Sequence, residues 1–135
     1  MKYLDEVAES FYRFFKEGVF IPAIDDISTL TIEEAYECQR MYQALRASDG
    51  DKSFGYKVGC TSAAIREQFG FNDPICGCLM TPGLFQEGEP LKENQYHSLA
   101  IEPEFVFTLK RDLLDEDITD DELLDAIEFI QPGIE

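Results

Sequence analysis

The sequence predicts an α+β protein in which helices come first and strands follow. Apolar residues recur at helical spacing through much of the first 50 of its 135 residues. From residue 53 onward, short apolar segments bounded by glycine and proline are typical of strands, and residues 99–110 give the strongest such signal. We therefore expect an N-terminal helical region at 1–50 and a strand-rich region at 51–135.

The chain is strongly acidic, with 28 acidic and 11 basic side chains and a formal charge of −17. Nucleic acids are therefore excluded as partners, because phosphate contacts require clustered Lys and Arg. With 44% hydrophobic residues the chain can bury a core. The sequence contains no apolar run long enough for a signal peptide or a membrane span, so we expect a cytoplasmic protein with no membrane partner.

Four helices are predicted from periodicity and capping signals. The first covers about 3–16 and ends at Gly18, and the second covers about 32–47 after a Thr31/Glu34 capping box. A short third helix covers 62–69, and a Thr119/Glu122 capping box opens the fourth. The second helix is expected to bury four residues, Ala35, Cys38, Tyr42 and Leu45.

Strands are predicted at 54–59, 74–80, 99–110 and 129–135. In the third, alternation places Glu102 and Glu104 on one face, opposite an apolar face that contains Phe105 and Phe107. Two carboxylates about 7 Å apart along a strand can close around one hard cation. The alternative is an amphipathic strand whose solvent face happens to carry two glutamates.

Lys57 is a second candidate functional residue. It lies in an apolar strand between Gly55 and Gly59, which allows a ligand to approach an ammonium group held on a rigid element. The alternative is an ordinary surface lysine. Carboxylates together with a lysine suit a metal-assisted reaction on a small anionic oxo acid.

Cysteine and histidine give weaker signals. The four cysteines, Cys38, Cys60, Cys76 and Cys78, follow no familiar disulfide or zinc spacing, and we interpret them as reduced thiols with a zinc site as the alternative. The lone His97, beside Ser98, has no marked catalytic partner, so we interpret it as a surface or hydrogen-bonded histidine.

Four motifs in order resemble the 2-keto-4-pentenoate hydratase and 4-oxalocrotonate decarboxylase family of the fumarylacetoacetate hydrolase superfamily. They are GYKVGCTS at 55–62, DPICG at 73–77, IEPE at 101–104 and AIEFIQPGIE at 126–135. The resemblance covers nearly the whole chain. It implies that the N-terminal helices pack on the first strands of a mixed β-roll or barrel, and that the protein forms a homo-oligomer.

The resemblance also implies roles for six residues. Glu102, Glu104 and Glu135 would bind Mg²⁺ or Mn²⁺, Lys57 would be the catalytic lysine, and Thr61 and Ser62 would line the substrate pocket. In the family, a 2-hydroxy-dienoate chelates the metal through its carboxylate and 2-oxygen, and the hydratase adds water at C4.

Several functions are compatible with the resemblance. A hydratase acting in aromatic catabolism is the leading expectation. Ile75 replaces the acidic residue usual in hydratases and favours a decarboxylase of 2-oxo-3-hexenedioate. An acylpyruvate hydrolase is a further alternative. Because family members are roughly twice as long, we also expect an N-terminal half only, and an inactive oligomerisation or partner-binding module is the last alternative.

Overall fold

The chain divides into two units, Met1–Glu87 and Gly88–Glu135. The computed structural model describes residues 2–18, 27–93, 96, 99–115 and 117–135. The predictions for His97 and Ser98 lie outside these described residues. The division at residue 50 stays a prediction drawn from sequence character.

Both units combine helices with an antiparallel pair of strands, which confirms the α+β class. Unit 1 contains α1 (Lys2–Glu17), α2 (Ile32–Ser48), β1 (Ser53–Gly59), α3 (Ala63–Phe69) and β2 (Ile75–Met80), with 3₁₀ turns at Ile27–Thr29 and Thr81–Gly83. Unit 2 contains β3 (Pro103–Leu109), α4 (Asp120–Ala126) and β4 (Ile127–Ile134). The third strand begins at Pro103 rather than near residue 99. Across the described residues, the helices are too short or too polar to cross a membrane.

The helix ends form as the sequence signals indicate. Thr31 and Glu34 make the reciprocal bonds of a capping box at the start of α2, and Thr119 and Glu122 do so at α4. At the end of α1, Gly18 has a left-handed backbone conformation, and its amide donates to the Phe14 carbonyl. These bonds satisfy backbone groups that would otherwise lack helical partners.

Helices α1 and α2 pack against each other around Val7 and Ala8, which are fully or almost fully buried. Of the expected α2 face, Cys38 is buried and Ala35 is exposed. Arg46 is buried instead, because its guanidinium lies 3.9 Å from the Phe15 ring centroid and 2.8 Å from the Asp51 carboxylate. The hydrophobic pattern cannot reveal such a residue, since the ring that covers the guanidinium, Phe15, is distant in the sequence.

Helix α2 also covers one edge of the β1–β2 sheet. The Cys76 amide donates to the Tyr36 hydroxyl at 3.0 Å, and the Gln39 side-chain amide donates to the Cys76 carbonyl at 3.1 Å. The side-chain oxygen Oε1 of Gln39 in turn accepts a hydrogen bond from the side-chain amide of Gln43. These bonds satisfy the polar groups of Cys76 that point away from β1, so part of the edge is closed to other strands.

Strands β3 and β4 pair in one register from Pro103↔Ile134 to Thr108↔Phe129, where an irregularity shifts the pairing to Leu109↔Ile127. The face that carries Phe105, Phe107, Ile130 and Ile134 is exposed within the chain. The alternation predicted for the third strand is therefore present, with its apolar face open to solvent.

Asp49 links the two N-terminal helices and makes their contact sensitive to pH. Its carboxylate accepts from the Tyr12 hydroxyl at 2.6 Å and the Lys16 ammonium at 2.7 Å. The bond from Lys16, and after it the bond from Tyr12, lowers the pKa of Asp49 below its ordinary value. A carboxyl group with a lowered folded-state pKa contributes stability above its unfolded pKa. That contribution is lost as the pH falls through the folded-state value.

We predict that Asp49→Asn makes stability less dependent on pH in the acid range. Urea midpoints measured between about pH 5 and pH 2 should fall less steeply in this variant than in the wild type. Asp73→Asn, which makes the same charge change in an exposed loop, is the control and should keep the wild-type slope. A wild-type slope in Asp49→Asn would contradict the assignment.

Candidate metal centre

The candidate metal centre depends on a backbone pair that extends the β3–β4 ladder by one residue. The Glu102 amide donates to the Glu135 carbonyl at 2.7 Å, and the Glu135 amide donates to the Glu102 carbonyl at 2.9 Å. Residues that exchange both bonds lie directly opposite each other, with their side chains on the same face. Glu104, two residues along β3, shares that face with Glu102.

Gly133 is the residue opposite Glu104. A Cβ atom at Gly133 would lie 2.5 Å from Cγ2 of Val106, so the valine methyl already occupies the space that a side chain would need. The residue across from Glu104 therefore has to be very small. The QPG sequence within the last motif supplies this glycine, but its role depends on the strand register.

Two prolines fit the ladder because of its alternation. Since Glu102 and Glu135 form a hydrogen-bonded pair, the pairs Pro103↔Ile134 and Phe105↔Pro132 are the non-hydrogen-bonded type. An amide at such a position would point away from the partner strand, so proline removes no bond from the ladder. Pro103 is therefore compatible with a strand that carries glutamates on both sides of it.

The structure brings the three predicted glutamates together. One carboxylate oxygen each from Glu102, Glu104 and Glu135 lies within 4.8 Å of the others, and Glu104 is half-buried while the other two are exposed. Oxygens on opposite sides of a Mg²⁺ or Ca²⁺ ion are separated by about 4 to 5 Å. Three carboxylates at this spacing fit a hard divalent cation, which prefers oxygen ligands. Their role as ligands stays a prediction.

Lys57 lies in unit 1, on β1, and is half-buried. It pairs with Gly77 across the sheet, and Gly55 and Gly59 are its neighbours on the same face. A Cβ atom at Gly77 would meet nothing within 4 Å. The sequence revealed the two flanking glycines, whereas Gly77 becomes a neighbour only through the register.

Thr61 and Ser62 form the turn between β1 and α3, also in unit 1. The Ser62 hydroxyl oxygen caps α3 by accepting from the Ile65 amide at 3.2 Å, which leaves its O–H hydrogen able to donate to a ligand. Cys60, just before the turn, has a φ of 55°, a left-handed conformation uncommon in residues other than glycine. No signal in the sequence indicates this conformation.

Among the described residues, the potential metal-binding group contains glutamates only. Burial raises the pKa of Cys38, whose thiol lies 3.7 Å from the Leu4 carbonyl. A raised thiol pKa reduces reactivity, because the thiolate is the nucleophile and the metal ligand.

Comparison with curated proteins identifies relatives along almost the entire chain. It is 31% identical over 132 residues to 2-keto-4-pentenoate hydratase of Paraburkholderia xenovorans, covering 97% of this chain and 49% of that protein. It is 33% identical over 132 residues to 4-oxalocrotonate decarboxylase of a Pseudomonas species, covering 98% of this chain and 48% of the relative. No protein-family model matches. The chain spans about half the length of these relatives.

Solved structures share the fold. Two structures of 4-oxalocrotonate decarboxylase from Pseudomonas putida G7 match with a TM-score of 0.90 at 24% identity, covering 99% of this chain and 52% or 51% of theirs. One is complexed with calcium and acetate, and the other with magnesium and adipate.

The fold and the carboxylate group define an α+β protein with an all-oxygen candidate metal centre. Within that class, the chain is similar over almost its whole length to about half of a 2-keto-4-pentenoate hydratase and of a 4-oxalocrotonate decarboxylase, which fits the expected N-terminal half. The family resemblance predicted from the four motifs is thereby confirmed.

Proposed function

We propose that this chain forms part of a divalent-metal-dependent hydratase of 2-oxo-pent-4-enoate-type substrates. The enzyme would act in aromatic catabolism and add water at C4 of its substrate. The observation that carries the proposal is the convergence of three carboxylates on one face of the β3–β4 pair. The names of relatives at about 31% identity support the reaction class. The substrate would be a small anionic 2-oxo acid.

The proposal includes the surroundings of the site. The two sheets would be the opening strands of a mixed β-roll or barrel, with the helical region at 1–50 packed against it. The exposed apolar face of β3 and β4 supports this arrangement, because such a face normally packs against further strands or helices. We also propose a cytoplasmic homo-oligomer.

Glu102, Glu104 and Glu135 would hold Mg²⁺ or Mn²⁺. A bound divalent cation would supply positive charge that polarises the 2-oxo group of the substrate. The solved decarboxylase complexes with magnesium and calcium support a divalent ion in proteins of this fold. The glutamates would also fix the orientation of the bound oxo acid, because their own positions are determined by the backbone pairing of β3 and β4.

Lys57 would be the catalytic lysine, and Thr61 and Ser62 would contact the substrate. The ammonium group of Lys57 would donate a hydrogen bond or a proton to the substrate. Its cross-strand neighbour Gly77 supports this role, because a Cβ atom there would meet nothing within 4 Å and the space beside the lysine is open to a ligand. The Ser62 hydroxyl, oriented by its bond with Ile65, would donate to a substrate oxygen.

A second candidate function is decarboxylation of 2-oxo-3-hexenedioate. Ile75, which follows Pro74 at the start of β2, favours it because hydratases in the resembling family usually carry an acid there. The 33% identity to a 4-oxalocrotonate decarboxylase gives further support. Product analysis would separate the two reactions, since decarboxylation releases CO₂ and hydration gives a 4-hydroxy-2-oxo acid.

We predict that Mg²⁺ or Mn²⁺ stabilises the protein through the three glutamates. A ligand at about one hundred times its Kd stabilises the folded state by about 2.7 kcal/mol, so Mn²⁺ should raise the thermal unfolding midpoint measurably. Glu104→Gln should remove most of this rise, because it removes an inner ligand.

The matched control is Glu128→Gln, which neutralises an exposed glutamate of the same sheet outside the carboxylate group. It should keep the wild-type response to Mn²⁺. An equal response in wild type, Glu104→Gln and Glu128→Gln would show that the cation acts on general surface charge and would contradict the proposed metal centre.

We predict that Lys57→Met retains metal binding and weakens binding of oxalate, a mimic of the chelating end of an oxo acid. Loss of one charged hydrogen bond should weaken oxalate by about tenfold in calorimetric titrations with Mn²⁺ present. Lys52→Met, just before the same strand, is the control and should bind oxalate like the wild type. Wild-type oxalate affinity in Lys57→Met would remove Lys57 from the proposed site.

A further inference from the structure

Helices α1 and α2 leave a groove of about 360 Å³ between them, within unit 1. Four of the side chains that line it are apolar, and they belong to Ala8, Met41, Ala44 and Leu45. On α2 the lining runs from Met41 to Ser48, so the groove follows that helix for about two turns, or about 10 Å. An apolar groove alongside two packed helices has the shape that a third helix can occupy.

The wall formed by α1 adds negative charge to this groove. Asp5 and Glu9 line it and are exposed, and their spacing of four positions makes them neighbours on one side of the helix. Neither carboxylate forms an ion pair with any residue that the structure describes. The described residues that line the groove from α2 are uncharged. The groove is therefore negative along one wall and neutral along the other.

Charge complementarity selects the occupant of the groove. An acidic helix would be repelled by Asp5 and Glu9, and an uncharged helix would remove the two carboxylates from water without pairing them. Basic side chains four residues apart on a helix are separated by about 6 Å along its axis, which is also the axial separation of Asp5 and Glu9. A single basic helix lying along α1 can therefore pair with both carboxylates.

We propose that the α1–α2 groove binds a basic amphipathic helix of a partner protein. The apolar face of that helix packs on Met41 and Leu45, and two Lys or Arg side chains at one edge of the face pair with Asp5 and Glu9. The inference does not depend on the proposed function, because all of these residues lie in unit 1 and none belongs to the proposed metal or substrate site.

A synthetic peptide tests the inference on the full chain. The probe is a fluorescent amphipathic peptide of Leu, Ala and Lys, about 15 residues long so that it can form a helix, with lysines four residues apart beside a leucine stripe. Fluorescence anisotropy measures its binding, and we expect the wild type to bind it. Asp5→Asn combined with Glu9→Gln should weaken binding by about tenfold, the effect of losing two surface ion pairs of upper-range strength.

The matched control is Glu6→Gln combined with Glu67→Gln, which removes the same charge from exposed positions of unit 1 outside the groove lining. It should bind the peptide like the wild type. An equal loss of affinity in the two double variants would show that the peptide is attracted to acidic surface in general, and would overturn the inference.

A substitution on the other wall tests the apolar contact. Ala44 is exposed on α2, so Ala44→Gln places a longer side chain in the groove without disturbing the core. It should weaken peptide binding by about fivefold, because it displaces apolar contact. Ala47→Gln, at an exposed position of the same helix outside the lining, should bind like the wild type. Wild-type affinity in Ala44→Gln would contradict occupation of the groove.

Two altered peptides test the nature of the occupant. A central proline prevents a continuous helix and should weaken binding by about tenfold. Glutamates in place of the lysines should weaken it at least as much. Undiminished binding of either altered peptide, or no binding of the basic peptide to the folded wild type, would overturn the inference.

Discussion

The antiparallel register of β3 and β4 is the constraint on which the candidate metal centre depends. Glu102 and Glu135 are separated by 33 positions in the chain and meet only because their backbones exchange two hydrogen bonds. A shift of one residue would move the side chains of one strand to the other face. The small size of Gly133 and the outward-pointing prolines are compatible with this register, so backbone pairing and carboxylate placement are parts of one arrangement.

The acidic chain contains local groups of both charge signs. Three carboxylates within 4.8 Å repel one another, and a divalent cation would relieve that repulsion. In unit 1, Lys57 instead places a positive charge on β1, opposite Gly77. A net charge of −17 therefore does not prevent recognition of a small anion, since close contacts decide binding and distant charges are screened.

Local signals predicted the elements well, and long-range contacts account for what the sequence could not supply. The Thr31/Glu34 and Thr119/Glu122 capping boxes are confirmed because each involves residues within one helical turn. The shared face of Glu102 and Glu104 followed from alternation, whereas the place of Glu135 came from family resemblance. Packing of Arg46 on the Phe15 ring and pairing of Lys57 with Gly77 depend on tertiary contacts, which no local pattern encodes.

Paramagnetic broadening by Mn²⁺ in nuclear magnetic resonance spectra would locate a bound ion on the chain and so test whether Glu102, Glu104 and Glu135 hold it. The sequence contains a competing acidic region around 112–122, which is dense in carboxylates. If these glutamates bind the ion, substoichiometric Mn²⁺ should broaden the backbone amide signals of residues 102–104 and 133–135 most strongly. Broadening centred on residues 112–122 instead would contradict this assignment.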